Sequence, residues 1–515
     1  MMRTLGNYFR ATIALDLRSL AAMRMGLAGV VLTDLAIRVS DFHAMYSSAG
    51  LAPVEFVRSQ QSIPVWSLHL LSGSDAWQIF LFGLAAVIAV AMLVGYRTRL
   101  AVVASWILLT SVQMRLPIVL NAGDTLLRVA LFWSMFLPLG GVWSIDALRG
   151  KDRRDQPSGS LGGSLGGLRL SRCANPCVSV ASFAFIVQLA IVYWLAGWAK
   201  WNDAWLREDA IGNVFKFGLY GLPLGAALSD YPALTRLCSR ATVWFELLGP
   251  LLLFIPWRVS WLRMLAFTSF VLLHIGIAAT MTVGLFSYAA IAIWMAALPS
   301  SFWDRFSAFQ LMSSNDAAVE KSPGVSRRLS RKVAAALCCA ALAVVVYWNV
   351  SNSISAKSIN SFDRGVRTVC HLAGLRQAWG VFGRPPRQDT WFVYQARLKN
   401  GAKVDLLSGG VETLDEKPSL ASRQFSNHRW RKLHYRLRDE SCAPYREALA
   451  DYVIREWDAQ HAADEQVVRL DVYYFTQSFD LAGTPGDHAR MTLAQVIVGN
   501  DGGNFAEALR DGEDF

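Results

Sequence analysis

Long apolar runs alternate with short polar segments through the first 350 residues of the chain. A helix that crosses a bilayer needs about 20 mostly apolar residues, so each run predicts one transmembrane helix. The nine predicted helices lie at 20–40, 77–95, 100–116, 124–140, 180–201, 241–256, 261–279, 283–298 and 333–350.

The last 165 residues show the shorter patterns of a soluble domain. A hairpin is predicted over 391–407, because two alternating segments flank Asn400-Gly401, a pair that favours a type I′ turn. The other predicted elements are a helix over 445–460 and a strand over 467–475. The fold class is therefore an all-α polytopic membrane domain of about nine transmembrane helices, followed by a small α+β extramembrane domain.

Polar connectors divide the chain. The loop at 150–172 repeats Gly-Ser-Leu-Gly-Gly, a composition typical of flexible linkers. The predicted domains are a membrane domain over 1–310, a linker over 311–332, a last transmembrane helix over 333–350 and an extramembrane domain over 351–515.

Charge sets the predicted orientation. Only 17% of the residues are charged, against about 25% in soluble domains. The net charge of +11 does not indicate nucleic acid, because much of it lies in short loops between apolar runs. Basic residues mark cytoplasmic loops; they gather at 97–99, 149–172, 258–263 and 321–332. We expect a bacterial inner-membrane protein with a cytoplasmic N-terminus and a periplasmic C-terminal domain.

Several kinds of chemistry are not indicated. The chain has no nucleotide-binding, nucleophile-elbow or zinc-protease motif, and its eight His do not cluster, so no metal site is predicted. Of the seven Cys, Cys370 and Cys442 lie in the C-terminal domain. In an oxidising compartment these two could pair across a loop of about 70 residues, or they could stay free.

The stretch 188–205 begins as a membrane helix and ends in aromatic and charged residues. Its tryptophans recur at helical spacing, namely Trp194, Trp198, Trp201 and Trp205. Such a stripe is typical of an interfacial anchor, and a wall on which a quinone stacks is the alternative. The Lys200 side chain could extend toward water beside these rings, or it could point into a pocket, and the sequence leaves both interpretations open.

With this topology, five helices place ionisable residues in the outer half of the bilayer, where each charge needs a partner or a role. They are Asp34, Arg38, Asp124, Arg128, Lys200, Glu246 and His274, with Tyr193 on the Lys200 helix. One interpretation is a polar pocket open to the periplasm. The other is structural, since Asp34 and Arg38, like Asp124 and Arg128, are spaced to form helix-stabilising pairs.

Several motifs occur together and in order. They are Arg24 with Asp34, Val94-Gly95-Tyr96-Arg97-Thr-Arg99, Gly123-Asp124-Thr-Leu-Leu-Arg128, Ala196-Gly197-x-x-Lys200-x-x-x-x-Trp205 and Glu246-Leu-Leu-Gly-Pro250. Over about residues 15–305 the chain resembles the HTTM (horizontally transferred transmembrane) domain, the membrane region shared with vitamin K-dependent gamma-carboxylase. The stretches 379–386 and 428–432 are similar to the extramembrane extension of some bacterial HTTM proteins.

The resemblance implies a specific chemistry. In the carboxylase, the Lys that matches Lys200 deprotonates a reduced quinone, vitamin K hydroquinone. Oxygenation then yields a strong base that removes the γ-proton of a substrate Glu, CO2 adds, and the quinone leaves as its epoxide. A Lys can act as such a base only when burial favours its neutral form. In this sequence Ala199 stands where the family has a second Lys, and the C-terminal domain is much smaller.

The family also includes SdpB-like bacterial proteins that take part in the maturation of a secreted peptide toxin. The alternative function is therefore a non-catalytic membrane partner in export, maturation or immunity for a secreted peptide. The expected partners are the lipid bilayer and a secreted peptide or protein substrate, and no nucleic acid.

Overall fold

The computed structural model describes residues 10–61, 66–152, 176–217, 219–306, 325–353, 361–411, 417–418, 421–479 and 485–498. Most of the predicted loop at 150–172, part of the predicted linker at 311–332 and the last fifteen residues lie outside these ranges.

Helices coincide with all nine predicted apolar segments. The main helices are α1 (Leu17–Ser40), α2 (Asp75–Val94), α3 (Thr98–Arg115), α4 (Ala122–Ser134), α5 (Val180–Ala199), α6 (Pro232–Leu248), α7 (Val259–Thr280), α8 (Phe286–Trp294), α9 (Val325–Ser353), α10 (Ser361–Leu372), α11 (His428–Leu437) and α12 (Ala443–Gln460). Short helices lie between them at Phe42–Met45, Val54–Ser59, Ile145–Asp152, Asp203–Leu206, Ala210–Lys216, Pro223–Leu228 and Ser300–Trp303.

Within the described ranges, five helices are long and apolar enough to cross a membrane, namely α1, α2, α5, α7 and Lys332–Ser353 of α9. The prediction of nine spans is therefore not confirmed. The apolar runs extend past the points where some helices end. With 13 residues, α4 is about 20 Å long at 1.5 Å per residue, which is less than the 30 Å hydrocarbon core. The 17-residue helix α6 gives way at Gly249 to a 3-10 turn.

Local signals set where the helices begin and end. Asn121 caps α4, and the Asp124 carboxylate accepts a hydrogen bond from the Asn121 backbone N–H in a capping box. Ser179 caps α5 in the same way with Ser182. Gly95 ends α2 with a φ of 70°, a left-handed conformation that glycine adopts without strain. These caps fix the register of each helix and so the depth of its charged residues.

The C-terminal domain is built on a five-stranded antiparallel sheet in the order β3–β2–β1–β4–β5. The strands are β1 (Gln388–Leu398), β2 (Lys403–Asp405), β3 (Gly410–Val411), β4 (Val467–Phe479) and β5 (Pro485–Ile497). The predicted hairpin is present, with Gly401 at a φ of 84° in its turn. The predicted helix and strand are α12 and β4, and Trp391 of β1 stacks on Phe475 of β4. The sequence did not predict β5.

The C-terminal domain packs on one end of the helical domain. The Asn427 amide donates a hydrogen bond of 2.8 Å to Asp41, next to the end of α1. Near the ends of α5 and α7, Asn202 bonds the Gly383 carbonyl at 2.9 Å and Arg431 bonds Thr282 Oγ1 at 2.8 Å. These contacts join the two parts of the chain into one structure.

Cys370 and Cys442, for which the sequence left pairing open, are both free cysteines in the structure. Cys370 is buried in α10, which packs on α9. Cys442 precedes α12, which packs on the sheet. The two thiols therefore belong to helices with different packing partners.

Burial of His434 in α11 predicts an acid-sensitive C-terminal domain. Its Nδ1 lies 2.7 Å from the Trp430 carbonyl, and its Nε2 is hydrogen bonded to the Tyr394 hydroxyl. Burial lowers the pKa of His434 to about 4, against about 6.5 in an unfolded chain. Between these values the unfolded chain binds a proton that the folded domain excludes.

As pH falls from about 6.5 to about 4, we expect the free energy of unfolding to drop by up to ~3 kcal/mol from this residue. The measurement is denaturant unfolding of the full-length protein in detergent at several pH values, followed by near-ultraviolet circular dichroism. His434→Gln should show a shallower pH dependence than the wild type. Equal slopes in the two proteins would contradict the assignment.

Candidate functional site

Lys200 turns inward rather than toward water. It follows the last residue of α5, and its Nζ reaches back to the Ala196 carbonyl at 3.3 Å. The same ammonium lies 2.8 Å from Glu246 Oε2 and 3.1 Å from Oε1. Only 4% of Lys200 is exposed. The side chain therefore forms a buried ion pair inside the helical domain.

Gly197 brings the two partners of this pair together. A Cβ at Gly197 would lie 2.9 Å from Leu247 Cγ and 3.2 Å from Glu246 Cβ, so only glycine permits this approach of α5 and α6. The Trp194 indole donates a 3.0 Å hydrogen bond to the Leu247 carbonyl and holds the helices at this spacing.

A second polar group lies deeper along α5. Tyr193 precedes Lys200 by seven residues, which places it about two turns away on the same face. Its hydroxyl lies 2.7 Å from His274 Nε2 of α7 and 2.7 Å from Trp294 Nε1 of α8. The Trp294 ring stacks on Phe270. Three helices thus meet at one buried hydroxyl.

One cavity of about 520 Å³ contains both polar groups. Tyr193, Lys200, Glu246 and His274 all line it. Most of its other walls are apolar side chains of α5, α6 and α7, and the C-terminal domain contributes Trp379, Val381 and Phe382. Four of the residues that the sequence singled out therefore share one largely apolar cavity.

The other predicted charges form a separate arrangement, the docking cluster of Asp34, Arg38, Asp124 and Arg429. Arg38 lies 2.8 Å from Asp34 and 3.1 Å from Asp124. Arg429, from α11 of the C-terminal domain, lies 3.1 Å from Asp124 and also pairs with Asp34. The four residues are buried and carry two charges of each sign.

The structural interpretation of the sequence allowed Asp124 and Arg128 to pair, but the described ion pairs join Asp124 to Arg38 and Arg429 instead. Arg128 instead donates to the Gly374 carbonyl at 2.7 Å and the Arg376 carbonyl at 3.1 Å. These carbonyls belong to the segment after α10, whereas the Asp124 carboxylate is taken by Arg38 and Arg429. Arg128 and the docking cluster thus hold the C-terminal domain and do not line the cavity around Lys200.

A second cavity of about 980 Å³ lies between the helix ends and the C-terminal domain. Its charged lining consists of basic residues, namely Arg384, Arg387, Arg431, Lys432 and Arg438, and no Asp or Glu among the described residues lines it. Burial and the nearby Arg436 and Arg438 lower the pKa of Lys432 to about 8. The cavity is therefore electropositive and suits an anion.

The tryptophan stripe does not act as one surface. Because α5 ends at Ala199, Trp205 lies in the next short helix and not on the line of Trp198 and Trp201. Trp198 and Trp201 are exposed, whereas Trp205 is buried, with its ring centroid 5.3 Å from Lys200 Nζ. The anchor interpretation suits the exposed rings, and Trp205 belongs to the cavity.

The sequence analysis missed Arg429 and the second cavity. Arg429 and part of the lining of the second cavity belong to the basic run at 428–432. The concentration of basic residues in this short segment was the signal in the sequence that could have revealed them. Among the residues that the structure describes, no group of three or more His, Cys, Asp or Glu could hold a metal ion.

The HTTM domain family matches the chain over residues 163–301. This segment of the chain is similar to an HTTM domain. The match spans α5 to α8 and so includes Lys200, Glu246 and His274, whereas Asp34 and Asp124 precede it. Together with the apolar helices it indicates a membrane protein. No curated protein and no solved structure matches the chain.

Arg429→Met should destabilise the protein, because it leaves two buried carboxylates with Arg38 as their remaining ionic partner in the docking cluster. Breaking such a pair costs about 3–5 kcal/mol. We expect a lower midpoint of thermal unfolding in detergent and faster proteolysis of the C-terminal domain. The exposed Arg423→Met is the control and should behave as wild type. Unchanged proteolysis in Arg429→Met would show that the cluster does not hold the domain.

Proposed function

We propose that this HTTM protein is a carboxylase-like membrane enzyme that uses a reduced quinone, with Lys200 as general base. One observation carries the proposal: the Lys200 ammonium lies on the Glu246 carboxylate inside an apolar cavity, at 2.8 Å, instead of reaching water. A buried acid–base pair beside a largely apolar cavity favours proton transfer from a lipid-soluble ligand.

The residues of the cavity fit the ring of a quinone. Phe245, Phe286 and Trp205 supply flat apolar walls, and Tyr193, His274 and the ion pair supply the polar positions. When bound, a reduced quinone supplies the reducing power that converts O2 into the strong base needed for carboxylation. The residues of the chain bind the ring, exclude water and handle its proton.

The proton path runs through the ion pair. Lys200 is a base only when neutral, and the short contact allows its proton to pass from Nζ to the Glu246 carboxylate. In an apolar cavity the neutral amine beside a neutral acid avoids the desolvation penalty of two charges. Lys200 Nζ then accepts the proton of a ligand hydroxyl, and Glu246 releases its own proton when the pair resets.

The apolar cavity also offers a route for a membrane-soluble ligand. Leu234, Cys238 and Leu272 line the cavity and are exposed on α6 and α7. Because α7 is long and apolar enough to cross a membrane, we expect the exposed Leu272 on this helix to face lipid. A quinone can reach Lys200 laterally from the bilayer.

The second cavity suits the other substrate. It is electropositive and shares Val283, Phe286, Val381 and Phe382 with the wall of the first cavity. A secreted peptide or protein could present a glutamate carboxylate there, next to the site of quinone oxidation. This placement of a polar substrate beside an apolar one matches the reaction that the family resemblance implies.

Lys200→Ala should abolish formation of quinone epoxide in membranes supplied with reduced quinone, O2 and bicarbonate. Epoxide is measured by liquid chromatography, and a fall of at least 10²-fold is expected for loss of a general base. Lys216→Ala, at an exposed lysine on a neighbouring helix, should retain activity. If the wild type forms no epoxide with any quinone tried, the enzyme proposal fails.

The alternative is a non-catalytic membrane partner for a secreted peptide, and the same ion pair favours it in one respect. A buried pair of Lys200 and Glu246 could serve only to hold α5 and α6 together. In that case, a variant with apolar residues at both positions would be at least as stable as the wild type. The export, maturation or immunity of the secreted peptide would also remain intact in that variant, whereas the enzyme proposal requires it to be lost.

We also propose that the protein lies in a bacterial inner membrane with its C-terminal domain in the periplasm, as the distribution of basic loops indicates. Asn400→Cys in the exposed hairpin turn should react with a membrane-impermeant maleimide in intact spheroplasts. Arg99→Cys, after α2, should react only once the cells are permeabilised. The reverse result would place the domain in the cytoplasm.

A further inference from the structure

The hydroxyl of Tyr193 is held by two neighbours, and chemistry fixes the direction of one bond. The Trp294 indole Nε1–H can only donate, so the 2.7 Å contact makes the Tyr193 oxygen an acceptor. The hydroxyl hydrogen then needs an acceptor, and His274 Nε2 lies 2.7 Å away.

This hydrogen-bond chain assigns the tautomer of His274. If Nε2 accepts the Tyr193 hydrogen, a neutral imidazole carries its own hydrogen on Nδ1. The opposite tautomer would leave two buried groups without a partner, namely the Tyr193 hydroxyl hydrogen and the unprotonated Nδ1, whereas the assigned tautomer leaves only the Nδ1–H. His274 is 1% exposed, and burial of an uncompensated imidazolium is unfavourable, so the neutral ring is the stable form.

The assigned N–H has no partner. Among the described residues, no acceptor lies within hydrogen-bond distance of His274 Nδ1. The ring lines the cavity that also holds Lys200 and Glu246. This donor is itself covered in the structure, so a ligand acceptor can satisfy it only by displacing the side chains that cover it.

The two polar positions of the cavity are separated along α5. Lys200 Nζ reaches back only as far as Ala196, whereas Tyr193 and His274 lie almost one turn deeper. Apolar rings, including Phe245 and Phe286, line the same cavity. A flat ring with an oxygen at each end could therefore contact both polar positions at once.

We propose that His274 determines ligand specificity by donating its Nδ1–H to a second ring oxygen, on the far side from the hydroxyl that faces Lys200. The inference rests on the proposed function and deepens it: the ligand class is an aromatic ring with para oxygens. Tyr193 is a positioning residue, because its hydroxyl holds the histidine tautomer that donates.

The test compares binding of two ligands that differ by one oxygen. Anaerobic 2-methyl-1,4-dihydroxynaphthalene carries both oxygens, and 2-methyl-1-naphthol lacks the far one. Calorimetric titration of the full-length protein in detergent should show that the wild type prefers the first ligand by several-fold to about tenfold, as expected for one hydrogen bond. Without oxygen no turnover occurs, so binding is measured separately from the proposed reaction.

Two substitutions of His274 isolate the Nδ1 position. His274→Asn can place an amide N–H near the original Nδ1 and should keep the preference. His274→Gln places its amide near Nε2, loses the Nδ1 donor and should bind the two ligands alike. Tyr193→Phe should reduce the preference, because the tautomer is no longer fixed. Under turnover, His274→Gln should raise KM for the reduced quinone more than it lowers kcat.

The outcomes separate the two proposals. Equal preference in His274→Asn and His274→Gln, or no binding of either ligand to the wild type, overturns the role of His274. Another outcome is a ligand preference that depends on the Nδ1 donor while the wild type forms no quinone epoxide. That result supports His274 as the residue that selects the ligand and rejects the carboxylase-like reaction. Retained epoxide formation without that preference rejects the His274 role alone.

Discussion

The buried docking cluster is the interaction on which the arrangement of this protein depends. A charge removed from water must find a partner, and here the partners come from three helices far apart in sequence. Asp34 of α1 and Asp124 of α4 need Arg429 of α11 as well as Arg38. Such a cluster adds little net stability, but any arrangement that leaves one of these buried charges without a partner is costly. The cluster therefore selects one position for the C-terminal domain.

That position decides what happens at Lys200. The docked domain brings Phe382 to the cavity, where its carbonyl accepts the Trp205 indole N–H at 2.9 Å. The buried Trp205 ring lies beside the ammonium, and Gly197 allows Glu246 to approach from the other side. A lysine at the end of a membrane helix would ordinarily extend toward water. Here the surroundings favour the inward conformation, because the carboxylate lies inside.

Local patterns predicted the elements well and their assembly poorly. The period of the apolar residues located α1 to α9, and Asn400-Gly401 located the β1–β2 hairpin, because both signals act over a few residues. The nine predicted spans are not confirmed, since the apolar runs continue past Ser134, where α4 ends, and across Gly249-Pro250, where α6 gives way to a 3-10 turn. The pairing of Arg429 with Asp34 joins residues 395 apart in sequence, so no spacing rule could reveal it.

The wall between the two cavities gives the site its chemical asymmetry. Val283, Phe286, Val381 and Phe382 line both spaces. The Lys200–Glu246 pair lies on the apolar side, and the basic residues line the other side. Electrostatic interactions weaken in a wet, polar environment and strengthen in a dry one. Under the proposed function, proton transfer at Lys200 would benefit from the apolar side, and an anionic substrate would be attracted by the basic side. Since Phe382 also contacts Trp205 through its backbone, docking of the C-terminal domain couples the shape of the wall to the position of the base.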